Sequence, residues 1–389
     1  MTLRRSPRIS TVRLTESTSY EKLGKNTSNR VFLIGHSDLD VLNEPLLVRD
    51  VQDAIALLKF DKQSPLLRGL LEAYLAGARD IWLVSAAPMS EYEPDIELRD
   101  NAYYRTYRDR LLVTYQLLKE WDVADFVVPL EAPLNSSVDF LTPLVNHCAE
   151  SFSLSGKPKI GFIGTRGTLD ESLVQALASD QRIPQLGSLG KFVVGFAGDA
   201  VFNLRQVSAL HTSSIATVAA AQLSVLPLDI GLTNRKIKNA MSPAHPELSD
   251  ESIALLSESK INTAVRTSVG RRGQQYSTVF SSDNTMAQEN SMYWSLAQTR
   301  VATQIAGDIR GLGKRAIGNL GMKSFREDVE NYMSALVVGG VIRRYELDVR
   351  REDPRINANR VVVNVSVTPY FGIRDISMTV FVGPEDNRR

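Results

Sequence analysis

The sequence predicts an α/β protein, in which an α/β domain with a mostly parallel sheet is followed by a smaller α+β domain. Two observations support this prediction. From Arg30 onward, short apolar segments alternate with amphipathic segments of helix length, which is typical of a parallel sheet with helices on both faces. Beyond about residue 290, two helices are followed by strands in which apolar residues occupy every second position.

The composition is that of an ordinary folded protein, with 43% hydrophobic and 23% charged residues over a length sufficient for two or three packed units. The 45 Lys and Arg side chains nearly balance the 44 Asp and Glu side chains, so no overall field favours nucleic acid or an anionic membrane. Cys148 is the only cysteine, which excludes an intrachain disulfide and fits assembly in a reducing cytosol. We expect neither a membrane-spanning helix nor a signal peptide, because no apolar run is long enough.

The α/β part divides into regularly alternating elements. Strands are predicted near 31–34, 81–84, 126–128, 160–163 and 192–194. Helices are predicted roughly over 65–76, 101–120, 138–151 and 170–178. The first of these helices has clear boundaries, with Ser64 as the cap, Pro65 in the first turn and Gly77 as the stop. Its buried stripe is predicted to include Leu67, Leu70, Leu71, Tyr74 and Leu75.

The C-terminal part is predicted to contain two helices and three strands. One helix runs from near Met292 towards Leu312, and a second begins at the capping box Ser324–Glu327 and ends at Gly339. The apolar residues of the first two strands alternate with polar ones, and they are Tyr345, Leu347, Val349, Val361, Val363 and Val365. The last strand contains Ile376, Met378, Val380 and Val382.

Each end of the chain carries a strand without an obvious partner. Near the N-terminus, Ile9, Val12 and Leu14 belong to a predicted strand in a basic segment, since residues 1–30 hold seven basic and two acidic side chains. Exposed strand edges favour aggregation, so natural proteins usually protect them. Two terminal strands are therefore consistent with completion of sheets in other copies of the chain. Pairing of all strands within one chain remains the alternative.

No catalytic, cofactor or metal site is predicted. His36, His147, His211 and His245 show no metal-ligand spacing, and the pair His147–Cys148 lies on an amphipathic helix where core packing is expected. The segment Gly35–Asp40 reads as a polar turn, and no nucleophile elbow surrounds Ser213 or Ser214. The loop Gly164–Thr168 lies between a strand and a helix, so its backbone could hold a phosphate, although it is not a P-loop.

Several short motifs resemble, in their order, the tail sheath proteins of contractile phages and related injection devices. Ser64–Leu66 followed by Ala76–Val84 is similar to that family's helix, small-residue turn and strand. Further similarities occur in Ser213–Ala216 with Ser242–His245, in Leu255–Thr263, and in the helix that ends at Gly339–Ile342. The resemblance covers roughly residues 30–383.

This resemblance implies a structural protein that forms hexameric rings around an inner tube and contracts to drive the tube through a host envelope. It implies a subtilisin-like topology without a catalytic triad, and arms that exchange strands between neighbours. The corresponding division is an N-terminal arm (1–29), an outer α/β domain (30–289), an inner domain facing the tube (290–371) and a C-terminal arm (372–389). The implied partners are other copies, the tube protein, and baseplate and terminator proteins, without nucleic acid or membrane insertion.

The implied location is a virion tail assembled in the bacterial cytoplasm, and a bacteriocin or chromosomal injection device remains an alternative. Arg300, Arg310 and Lys314 fall within about 80° of each other on the helix predicted near 292–312, so they are candidates for contact with an acidic tube surface. A solvated helix face is the alternative for these three. Asn26–Asn29 and Phe371–Gly372 are candidate flexible joints. The competing function is an α/β enzyme or binding protein for a phosphorylated ligand at Gly164–Thr168.

Overall fold

The fold is known from a computed structural model that describes most of the chain. The described residues are 29–58, 64–119, 125–154, 159–204, 209–244, 248–269, 275–287, 295–316, 321–351 and 361–369. The predicted exchange strands, which contain Ile9, Val12, Leu14, Ile376, Met378, Val380 and Val382, lie outside these residues.

The described part contains thirteen strands and ten α-helices. The strands are β1 (Val31–Ser37), β2 (Leu46–Leu47), β3 (Ile81–Pro88), β4 (Phe126–Pro129), β5 (Ile160–Gly164), β6 (Val193–Ala197), β7 (Asp199–Leu204), β8 (Ala209–Ser214), β9 (Ala240–Pro243), β10 (Ile261–Val269), β11 (Gln275–Phe280), β12 (Ile342–Arg351) and β13 (Val361–Pro369). The helices are α1 (Val51–Leu57), α2 (Pro65–Ala76), α3 (Asn101–Leu118), α4 (Leu141–Leu154), α5 (Glu171–Ala178), α6 (Arg182–Gln185), α7 (Ile215–Ser224), α8 (Asp250–Glu258), α9 (Leu296–Ala316) and α10 (Met322–Val338).

The α/β domain is built on an eight-stranded sheet in the order β11-β10-β6-β5-β4-β1-β3-β2. The six strands from β10 to β3 are parallel, and the edge strands β2 and β11 are antiparallel to their neighbours. The chain passes from β1 to β3 on one side and returns to β4 on the other, so the strand order reverses beside β1. The predicted α/β class with a mostly parallel sheet is thus confirmed.

Helices cover both faces of this sheet and enclose two hydrophobic cores. One core contains the buried faces of α1, α2 and α7, and the other contains those of α3, α4, α5 and α8. Because both faces are covered, the central strands are apolar throughout: all seven residues of β1 are buried. This strand also extends through Gly35, His36 and Ser37, so the polar turn predicted to begin at Gly35 starts later than expected.

Helix α2 has the predicted boundaries. The Ser64 hydroxyl accepts a hydrogen bond from the Leu67 amide at 3.2 Å, and Pro65 occupies the first turn. Gly77 ends the helix in a left-handed conformation with φ 102°. The buried stripe was predicted less well, because Tyr74 is 45% exposed although Leu67, Leu70 and Leu71 are buried.

The C-terminal part packs α9 and α10 against the antiparallel pair β12–β13. Helix α10 begins at Met322, with Gly321 as its cap in extended backbone, so the predicted capping box at Ser324 is wrong. The helix starts at Met322, two residues before Ser324, because Gly321 has the extended backbone of a helix cap. The end of α10 was predicted correctly, since Gly339 caps the helix and Gly340 adopts φ 72°.

Helix α9 belongs to both packed regions. Leu296 in its first turn joins the core that contains α2 and α7, whereas Val301 and Ile305 join the core of the C-terminal part. The helix runs from Leu296 to Ala316, about four residues beyond the predicted end. Its first turn is buried on all sides except at Ala297, because it is inserted against the α/β domain.

Candidate assembly surfaces

The β12–β13 pair is an isolated two-stranded sheet among the described residues. Tyr345 pairs with Val367, Leu347 with Val365, Val349 with Val363 and Arg351 with Val361. No third strand of the described part pairs with either strand, so each strand has an outer edge whose backbone groups are not used in a ladder. A two-stranded sheet is marginally stable by itself, which makes its packing against helices essential.

The side chains of this sheet separate into two faces. Tyr345, Leu347, Val363 and Val365 pack against the core formed with α9 and α10, and Val349 is 7% exposed within it. The opposite face carries Arg344, Glu346, Asp348 and Arg350 on β12. The geometry therefore provides an apolar base and open strand edges, which are what an added strand requires. The addition of a strand to the predicted acceptor residues stays a prediction.

The three basic residues predicted on α9 do not share an exposed face. Arg310 and Lys314 are exposed, but Arg300 is 2% exposed and therefore cannot contact a tube. The reason is positional: Arg300 lies in the turn that is inserted against the α/β domain. Arg315 is also exposed. The sequence analysis did not include it among the candidates for tube contact, although it directly follows Lys314 in the sequence. Lys314 and Arg315 lie in the last turn of α9, where the helix dipole favours positive charge.

The position of a ligand site in an open α/β sheet is the crevice at the carboxyl ends of the strands, where their order reverses. Here that position is filled by an ion cluster around Glu131, directly after β4. Arg166 donates to both of its carboxylate oxygens, with Nη2 at 2.5 Å from Oε1 and Nε at 3.1 Å from Oε2. Arg99 donates to Oε2 at 2.6 Å and Arg68 to Oε1 at 3.2 Å. Sequence reasoning missed this cluster, whose members come from four separate segments.

The electrostatics of Glu131 follow from this arrangement. Burial raises the pKa of its carboxyl, but Arg166, Arg68 and Arg99 together lower it to about 2. Its backbone adopts φ 59°, a left-handed conformation that non-glycine residues rarely use. Nearby, burial raises the pKa of Asp199 to about 7 against the opposing charge of Arg166. The space left beside the cluster is about 40 Å³, room for one or two water molecules.

The loop Gly164–Thr168 is not arranged as a phosphate cradle. The Thr165 amide donates to the carbonyl of Phe196, and the Arg166 amide donates to Asn135 Oδ1 at 2.9 Å. The amide at the start of the following helix is also used, because Leu173 donates to the capping carboxylate of Asp170 at 2.8 Å. These donors and the Arg166 side chain already have partners, so they are not available to a phosphate, and the structure gives the interpretation as a site for a phosphorylated ligand no support.

His36, His147 and Cys148 are buried in the protein core, and Ser214 caps a helix. Burial lowers the pKa of His36 to about 4 and that of His147 to about 3, so both imidazoles are neutral near pH 7. Burial raises the pKa of the Cys148 thiol to about 12, which makes it unreactive and agrees with the expected core packing. Ser214 caps α7 by accepting from the Ala216 amide. His245 lies outside the described residues, and no metal-binding group of three or more ligands occurs within them.

Among the described residues, no helix combines the length and the hydropathy that a membrane span requires. The sequence of residues 288–383 matches the family model described as the phage tail sheath C-terminal domain. No curated protein matches the chain.

Solved structures with the same fold cover nearly the whole chain. The helical sheath of the anti-feeding prophage in its contracted state is 12% identical with a TM-score of 0.62, covering 98% of this chain and 100% of that one. The contracted PVC sheath complex of an extracellular contractile injection system is 14% identical with a TM-score of 0.63, covering 100% of this chain and 99% of that one. The sheath tail protein of Listeria innocua is 12% identical with a TM-score of 0.63, covering 90% of this chain and 94% of that one.

Proposed function

We propose that this protein, a homologue of the contractile sheath proteins, is the structural subunit of a contractile tail sheath. Its copies polymerise as hexameric rings around an inner tube, and contraction of the stacked rings drives the tube through a host envelope. The observation that carries the proposal is the β12–β13 sheet within the segment that matches the sheath family. It has an apolar base and two edges that no other described strand occupies.

Strand exchange is the proposed link between copies. Residues 9–14 and 376–382 of neighbouring copies add as strands to the outer edges of β12 and β13. The strands that accept them contain Tyr345, Leu347 and Val349 on β12, and Val361, Val363 and Val365 on β13. An added strand of about eight residues contributes roughly 4–8 backbone hydrogen bonds, each with a net value of about 0.5–1.5 kcal/mol. Such links persist while the folded bodies that they join move relative to each other. The arms join these bodies through Asn26–Ser28 and Phe371–Gly372. Asn29 itself does not belong to a flexible joint, because it is buried and hydrogen-bonded to Ser224 and Arg300.

The division of labour follows the sheath arrangement. The α/β domain, with its subtilisin-like topology, lies on the outside, and the C-terminal domain faces the tube, with the boundary near residues 289–290. Arg310 and Lys314, joined by Arg315, contact an acidic tube surface. The partners are the tube protein and the baseplate and terminator proteins. The assembly forms in the bacterial cytoplasm and becomes part of a virion tail or a related injection particle.

The test is negative-stain electron microscopy of the purified full chain with tube protein, compared with two truncations. Removal of residues 1–15 deletes the proposed exchange strand, so we expect soluble, folded monomers and no tubes or rings. Removal of residues 384–389 deletes only the polar C-terminal end and should leave the polymers intact. Normal sheaths from the 1–15 truncation would contradict strand exchange, and dispersed particles from the full chain with tube protein present would contradict the sheath function.

A further inference from the structure

Arg300 is the largest fully buried side chain among the described residues, and its hydrogen bonds reach outside its own helix. Its Nη1 donates to the carbonyls of Pro227 at 3.0 Å and Ile230 at 3.2 Å. Its Nη2 donates to the carbonyl of Leu226 at 2.9 Å and to Asn29 Oδ1 at 3.1 Å. One guanidinium on α9 therefore binds three carbonyls of the α/β domain and the side chain of Asn29.

These acceptors come from two places that are far apart in sequence. The three carbonyls belong to the segment that follows α7, and Asn29 lies two residues before the first residue of β1. Asn29 is attached to the same region a second time, because its amide donates to the carbonyl of Ser224 at 2.9 Å. Arg300 thus brings together the beginning of α9, the segment after α7 and Asn29, which is the first described residue.

All four acceptors are uncharged. A buried cation without a bonded carboxylate is costly, and burial lowers the pKa of Arg300 to about 9 although Asp229 and Asp125 oppose the effect at longer range. The face of the Phe126 ring lies 6.0 Å from the guanidinium carbon and adds a weak cation–π contact. An apolar residue would fill this position at lower cost if only packing were needed. The hydrogen bonds instead define one orientation, as buried polar groups do in some other proteins.

We propose that Arg300 is a positioning residue that fixes the direction of α9, and with it the C-terminal domain, relative to the α/β domain. Because α9 is a single helix of 21 residues, fixing its first turn orients the whole C-terminal domain. The bond to Asn29 attaches the last residue of the segment 1–29 to the same joint. This role concerns the single chain, so it does not depend on the proposed sheath function.

Lysine cannot reproduce this arrangement. The guanidinium presents five N–H groups in a rigid plane, which lets two nitrogens serve four acceptors, whereas an ammonium is a compact point charge on a flexible stem. Asn29 offers a matched pair of changes. Asn29→Asp keeps an oxygen acceptor opposite Nη2, and Asn29→Leu removes the acceptor at similar volume.

The test measures the distance between spin labels on the two domains by pulsed electron paramagnetic resonance. Labels are placed at the exposed positions Thr106 on α3 and Glu327 on α10, and Cys148 stays in place because it is fully buried. Labelled protein is diluted with unlabelled protein so that only distances within one chain contribute. The variants are Arg300→Lys, Arg300→Met, Asn29→Leu and Asn29→Asp, with Arg310→Met as the exposed control.

We expect one narrow distance distribution for the unmodified chain, for Asn29→Asp and for Arg310→Met. The distribution should be at least twice as wide for Arg300→Lys and Arg300→Met, and intermediate for Asn29→Leu, with circular dichroism unchanged. A merely structural role would lower stability without widening the distribution. If Arg300→Met does not fold, Arg300→Lys and Asn29→Leu decide the question. Unchanged widths in these two variants would overturn the proposal.

Discussion

At the scale of single residues, the place where an α/β protein usually binds a ligand is occupied by the protein's own charges. Glu131 accepts from Arg166, Arg99 and Arg68, and the Tyr92 hydroxyl accepts from the latter two at 3.0 and 2.6 Å. Each arginine stands in a different segment, so Glu131 joins α2, the segment before α3 and the loop after β5. A buried carboxylate with this many partners stabilises packing, because losing it leaves buried cations uncompensated.

Replacement of Glu131 by Gln should therefore destabilise the protein by about 3–5 kcal/mol near pH 7, since it removes the buried counter-charge that Arg99 and Arg166 share. The measurement is urea unfolding followed by circular dichroism. Arg68→Gln is the matched control, because its side chain is 28% exposed, and it should cost about 1 kcal/mol or less.

The pH dependence of that difference follows from the depressed pKa of Glu131, which is about 2 in the folded protein. The stabilising contribution is complete above the pKa of the unfolded chain, near 4.5, and is lost as the pH falls towards 2. The difference in free energy of unfolding between the unmodified protein and Glu131→Gln should therefore become smaller below pH 4.5. A difference that stays constant down to pH 3 would show that the charge of Glu131 is not what stabilises the cluster.

At the scale of elements, α9 combines a fixed first turn with a glycine-rich second half. Gly307, Gly311 and Gly313 lie within this helix, and a Cβ atom at Gly311 would meet no other atom within 4 Å. Glycine in a helix interior is less favourable than alanine by about 0.8–1.0 kcal/mol, mainly through backbone entropy. The second half of α9 is therefore intrinsically weaker than its anchored beginning.

Gly311→Ala should raise the free energy of unfolding of the C-terminal domain by up to about 1 kcal/mol. The contrasting variant is Gly190→Ala, where the new Cβ would lie 2.1 Å from the backbone oxygen of Met286 and must be destabilising. Thermal unfolding of both variants checks the prediction. A loss of stability in Gly311→Ala would mean that this half of α9 requires glycine for another reason.

At the scale of the whole molecule, the resemblance to tail sheath proteins is confirmed by the family match and by a fold shared over almost the whole chain. The resemblance rested on short motifs in a fixed order, and each motif alone was weak. Their order was informative because it follows the alternation of strands and helices that builds the α/β core.

The proposed contact with the tube predicts an electrostatic effect on co-assembly. Arg310→Glu combined with Lys314→Glu should lower the affinity for tube protein by roughly tenfold or more, corresponding to about 1.4 kcal/mol. The loss should shrink as salt is added, since exposed charges are screened. Co-sedimentation with tube protein is the measurement.

The matched control is Lys323→Glu combined with Arg326→Glu, which makes the same change in charge at exposed positions of α10. This control should co-sediment as the unmodified protein does. Equal loss in both double variants would mean that net charge alone governs the effect. Unchanged co-assembly of the α9 variant would remove Arg310 and Lys314 from the tube contact.

The sequence by itself determined the α/β class and the two strands β12 and β13, because alternation of apolar segments and period-two patterns depend on local residue order. The pairing of these two strands came from the structure. The sequence also determined both ends of α2, where Ser64, Pro65 and Gly77 act through their own backbone preferences. Tertiary structure decided the rest. Helical periodicity placed Arg300 on the same side as Arg310 and Lys314. The insertion of the first turn of α9 against the α/β domain buries Arg300, whereas Arg310 and Lys314 stay exposed. The Glu131 cluster likewise exists only because strand order brings four distant segments together, and no local pattern records that order.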